Sequence, residues 1–149
     1  ALMIFISYLL ALWTPHHSFL EDVLGEKSQK HAFKDVLEWK TLAHFSAKST
    51  EIGQTLGKIQ AIAGYVVPLE GLSEVKNFLL VPNSLACIHM PPPPMNLMIF
   101  AELVDPISVD EINGPVWVEG IFMLNNQESV YGTAVYQMTS AVLKPFYHF

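Results

Sequence analysis

The chain contains no arginine. Its eight basic residues are all lysines, set against 14 acidic residues for a net charge of -6. Proteins that read nucleic acid rely on arginine forks for phosphate and guanine, so an arginine-free acidic chain lacks the equipment for that class, and for a phosphate clamp as well. A single cysteine, Cys87, excludes an internal disulfide. That absence does not exclude an oxidising compartment such as the periplasm, where an unpaired thiol must be buried, metal-bound or used in exchange. Three catalytic signatures are also missing: a glycine-rich phosphate loop after a strand, a G-x-S-x-G elbow and an H-E-x-x-H helix.

What is present is a chain of 149 residues, 51% hydrophobic, long enough for one respectable core and little more. The stretch 1–13, ALMIFISYLLALW, carries no charge and is followed by Thr14-Pro15. Thirteen residues fall short of the roughly 30 Å of a bilayer's hydrocarbon, so the segment reads as the distal part of an uncleaved membrane helix with Trp13 at the interface. A signal-peptide apolar region and a buried helix are the rivals. The charges that follow are mixed rather than positive, which places the domain on the outer side of the membrane. Residues 1–15 are therefore assigned as anchor and 16–38 as helix and linker. The helix rests on a capping-box pattern at Ser18-Phe19-Leu20-Glu21 and a stop at Gly25. Residues 39–149 are assigned as the folded domain.

Within that domain, Trp39 is expected on a loop, with one or two helical turns starting near Ser49-Thr50-Glu51. After Gly57, five runs rich in β-formers read as strands: 58–67 ending at Pro68, 77–81 ending at Pro82, 97–104 ending before Pro106, 116–124 and 133–142. Five strands without βα alternation predict a mainly β fold, a small antiparallel OB-like barrel behind a short helical N-terminal region.

The run Cys87-Ile88-His89-Met90-Pro91-Pro92-Pro93-Pro94-Met95-Asn96 is the most chemically distinctive. In an extended segment Cys87 and His89 point to one face with Cα atoms roughly 6.5 Å apart, so one zinc or copper ion could touch both. A cysteine is equally at home as a small buried hydrophobe, and a lone C-x-H is a weak metal signature. The four prolines fix φ and remove four donors, predicting a polyproline rod that leaves the sheet and offers Pro91, Pro92, Pro93, Pro94 and Asn96 to a partner. Tyr65, Trp117 and Tyr136 are candidates to line a pocket beside it, against the ordinary alternative that strand aromatics pack in a core.

The sequence Gly57-Lys58, Gly64-Tyr65-Val66-Val67-Pro68-Leu69, Phe78-Leu79-Leu80-Val81-Pro82 and the C-I-H-x-P-P-P-P-x-N run, with Val116-Trp117-Val118-Glu119-Gly120 and Tyr136-Gln137-Met138 after them, resembles a bacterial envelope family, domain of unknown function 3299. The resemblance covers about residues 39–142. It departs at Leu97, where the family commonly has glutamine, and in lacking a lipoprotein-type cysteine near the apolar segment. Members are typically exported small proteins or predicted lipoproteins, some encoded beside ABC-type transporters, without an established activity. The resemblance implies an envelope location, which the anchor reading of residues 1–15 places on the periplasmic side of the inner membrane.

Three functions compete. The first is a non-enzymatic, membrane-tethered domain that docks in or assists a membrane protein complex such as an ABC-type transporter, with no cofactor, no nucleic acid, and the bilayer contacted through residues 1–13. The second is transient handling of zinc or copper by Cys87 and His89. The third, a thiol enzyme with Cys87 as nucleophile, suffers from geometry, because side chains at i and i+2 of a strand rarely approach to roughly 3 Å.

Overall fold

A computed structural model describes residues 33–44, 50–71, 73–83, 91 and 93–146, and the folded unit runs from Phe33 to Phe146. The apolar stretch 1–13, the capping box at 18–21 and all of the helix and linker expected over 16–38 except its last six residues lie outside the described residues. Among the described residues no helix is long and apolar enough to cross a membrane.

Among the described residues, two short helices, α1 (Trp39–Ala43) and α2 (Thr50–Thr55), precede five strands. These are β1 (Ile59–Pro68), β2 (Glu74–Val81), β3 (Ile99–Ser108), β4 (Val116–Ser129) and β5 (Gly132–Pro145). Trp39 thus opens a helix instead of sitting on a loop. The strands form a mixed sheet whose hydrogen bonds run β1-β2-β3-β5-β4 and back to β1, closing a ring. The expectation of a purely antiparallel sheet is overturned at one seam: β3 and β5 pair in parallel, Ile99 beside Tyr136 and Leu103 beside Ala141. The cause is connectivity. A turn at Val109–Glu111 and then β4 intervene between β3 and β5, so β5 arrives beside β3 running in the same direction.

Alternate residues of the strands turn inward and fill the ring. Ile62, Phe78, Leu80, Ile99, Val118, Phe122, Tyr136 and Met138 form the main core with Leu42 of α1 and Ile52 of α2. Each such side chain contributes about 1.5–3 kcal/mol on burial. The outer face carries two smaller clusters. Leu79, Val81, Met98 and Ala134 make one, and Phe33, Ala61 and Trp117 make the other.

Two glycines make the closure possible. β1 pairs with β4 from Ile59 to Gly64 and with β2 from Tyr65 to Pro68, so Gly64 stands where the strand changes neighbours. A Cβ there would lie 2.8 Å from the Val81 carbonyl oxygen. At the opposite seam β5 carries one extra residue: β4 advances from Glu119 to Ile121 while β5 steps from Val142 to Thr139. The same extra residue shows in the pairing with β3, where Ala101 to Leu103 matches Met138 to Ala141. Ser140 absorbs this bulge in the left-handed region, φ 50°. Gly120 faces it, and a Cβ would lie 2.8 Å from both Met138 Cγ and the Thr139 carbonyl oxygen. Bulges of this kind bend a strand, which a small closed ring requires.

Strand limits differ from expectation where proline or polarity misleads. Pro106 does not end β3, because it lies beyond the last pairing with β5, where a missing N–H costs nothing on that side. β4 and β5 extend as a hairpin to Ser129 and Gly132, well past Leu124.

Candidate functional site

The proline run is carried on the connection between β2 and β3, and Leu80 pairs with Ile99, so both feet of that connection meet at one place on the ring. Cys87, His89 and Pro92 lie outside the described residues. Of the expected partner-binding residues, Pro91 and Pro94 are exposed and Pro93 is half-buried. Pro94 has φ -56° and ψ 152°, the polyproline conformation that its ring favours. The chain then makes one tight turn, Met95–Leu97, closed by the Leu97 N–H donating to the Pro94 carbonyl at 2.8 Å, before Met98 becomes buried.

Asn96 sits in that turn, and its side-chain amide donates to the Ala43 carbonyl at 2.8 Å. Ala43 ends α1, and a helix C-terminus leaves carbonyls without intrahelical partners. The neighbouring Leu42 carbonyl accepts from the Tyr136 hydroxyl at 3.4 Å. Two adjacent carbonyls of one short helix are therefore met by side chains from the proline connection and from β5. At the other end of α1, Trp39 Nε1 donates to the Ala63 carbonyl at 2.6 Å. The helix is too short to be stable by itself, so these ties hold it in place. Asn96 acts in the structure as the foot of the proline segment, with its amide nitrogen directed inward to α1.

Tyr65, Trp117 and Tyr136 are not brought together. Tyr136 is fully buried in the main core, its ring centroid 5.2 Å from that of Phe122, and burial pushes its phenol up to about 12. Trp117 lies on the outer face between Phe33, centroids 4.9 Å apart, and Phe146, 5.9 Å apart. Lys144 stands over the Phe33 ring at 4.9 Å and pairs with Glu119 at 3.6 Å. Tyr65 is half-buried beside the separate outer cluster of Leu79, Val81 and Met98. Among the described residues no group of three or more histidine, cysteine, aspartate or glutamate side chains is placed to hold a metal ion.

Trp39 and Gly64 position this region, and Gly120 shapes the opposite seam of the ring. The two glycines stand in the G-Y and W-V-E-G runs, and their presence inside strands was the available signal. The carbonyls of Leu42 and Ala43 leave no trace in side-chain sequence.

The family model described as "Protein of unknown function (DUF3299)" matches residues 16–145. The crystal structure of a DUF3299 family protein from Pseudomonas aeruginosa PAO1 is similar with a TM-score of 0.63 and 28% identity, over 76% of this chain and 97% of that one. No curated protein matches.

Proposed function

The chain belongs to the DUF3299 family of proteins of unknown function, and from that premise we propose that it is a non-enzymatic domain, tethered to the periplasmic side of the inner membrane, that docks in or assists a larger membrane assembly such as an ABC-type transporter. The observation that carries this reading is the Asn96 to Ala43 hydrogen bond, which clamps the exit of the proline segment to α1 while Pro91 and Pro94 stay exposed. A rigid polyproline segment held at its foot presents a surface with little conformational entropy left to lose on binding. The interior of the ring is occupied by its own core, so recognition falls to the exterior.

The same reading takes the ring as a small barrel of OB type, with β1 bent at Gly64 and shared between β2 and β4. OB barrels commonly bind through the face of strands 2 and 3. Here Leu79 and Val81 of that face are buried, with Phe100 packed beside them, which moves docking to the connection beyond. Zinc or copper handling by Cys87 and His89 is the alternative.

Photo-crosslinking groups introduced at Pro91, Pro94 and, as control, Val130 test the proposal in cells. Docking predicts membrane-protein adducts from positions 91 and 94 and none from 130; equal labelling at all three sinks it. Metal handling predicts instead that purified protein carries zinc or copper, lost in Cys87→Ser while the melting temperature holds.

A further inference from the structure

We propose that Phe33–Ala43 is a strap that couples the foot of the proline connection to the point where the chain enters the domain, so that docking at the prolines, the reading on which this inference rests for its purpose, tightens that entry. The strap is fastened at separate points. Phe33 lies against Trp117. The Leu37 N–H donates to the Ala61 carbonyl at 2.8 Å, and the Ala61 N–H donates to the Asp35 carbonyl at 2.9 Å. These two bonds make a single parallel bridge, Val36 beside Ala61, and not a ladder. Next along the chain come the Trp39 bond to Ala63, the buried Leu42 side chain, and finally the Tyr136 and Asn96 bonds to the last two residues of α1.

A segment held by one bridge and a few side-chain bonds opens at lower free energy than strands paired on both edges. Its opening therefore responds to the loss of any one fastening. Asn96 belongs to the proline connection, and every other fastening belongs to the strap or the ring, so Asn96 is where the two segments meet. Coupling between two places on a protein is reciprocal: whatever Asn96 does to the strap, the strap does to the turn that holds Asn96.

Amide hydrogen exchange on the full chain, alone in solution, reads both directions. Asn96→Ala should speed exchange of the Leu37, Leu42 and Ala61 amides by about two- to tenfold, the effect of losing one hydrogen bond. The Phe122 amide, which donates to the Lys58 carbonyl in the ring, should not change. Trp39→Phe removes a fastening at the far end of α1 and should speed exchange of the Leu97 amide in the turn. If Asn96→Ala alters only the turn and Trp39→Phe alters only the strap, no coupling exists and the proposal fails. An equal rise at Phe122 in both variants overturns it too, since that means general loosening. Because no partner is present, reciprocal exchange without crosslinks at Pro91 or Pro94 removes the docking reading and leaves the strap, whereas crosslinks without reciprocity do the opposite.

Discussion

The hydroxyl of Tyr136 donates to the carbonyl of Leu42, 94 positions earlier in the chain, joining the middle of β5 to the end of α1. The ring of the same tyrosine packs in the main core against Phe122. One residue thereby fixes α1 on the sheet and fills the sheet's interior.

Tyr136→Phe keeps the shape and removes the hydroxyl donor, leaving the Leu42 carbonyl with the His44 N–H alone. A loss of about 1 kcal/mol is expected in urea unfolding. Tyr136→Ala opens a cavity as well, and should cost at least about 3 kcal/mol by the same measurement.

The phenol also gives stability an alkaline limit. In the folded protein burial raises it to about 12, whereas in the unfolded chain it ionises near its ordinary value of 10. The folded state thus favours the protonated form. This contribution is complete below pH 10 and is lost as pH rises from 10 through 12. Unfolding midpoints of wild type and Tyr136→Phe, measured across that window, should converge as pH rises; parallel curves would contradict the assignment.

Gly120→Ala and Gly53→Ala should move stability in opposite directions. At Gly120 the new methyl meets Met138, Thr139 and Ala141, all within 3.0 Å, and a strand must shift. The expected cost is about 1–3 kcal/mol. At Gly53, inside α2, nothing lies within 4 Å, and alanine should stabilise by about 0.5–1 kcal/mol. Thermal melts of the two variants check both signs.

On the outer face, Phe33→Ala should cost about 2–4 kcal/mol, because it removes a ring that is only 8% exposed from its contact with Trp117. Lys144→Ala should cost less than about 1 kcal/mol, since its pair with Glu119 is solvent-exposed. Chemical denaturation separates the two.

The five strands were legible because isoleucine, valine and aromatic runs are punctuated by Pro68, Pro82 and Gly114. Local pattern failed where local physics was not decisive. Asn125, Asn126, Gln127, Glu128 and Ser129 fall outside the strand expected over 116–124, yet they continue β4 because that part of the hairpin is largely exposed and needs no apolar alternation. Trp39 read as loop, since five residues of helix show no periodicity. The parallel seam depends on which strands lie together after folding, which no window of residues records. Asn96 was grouped with the prolines as recognition surface, and the acceptor of its amide, Ala43, lies 53 residues away. Family resemblance reached the motifs correctly, but the described residues give Gly64 and Gly120 a steric reason that the motif spelling does not contain.

The placement of β5 between β3 and β4 has a consequence for synthesis. Both seams that close the ring belong to β5, Gly132–Pro145. A nascent chain lacking those fourteen residues has β1 paired with β2 and β4 but leaves β3 and β4 with open edges. Closure therefore waits until β5 itself has been made, and its contacts reach back to β3 and to α1, which slows folding. Until β5 is in place, the sheet keeps two unpaired edges that can pair with another chain.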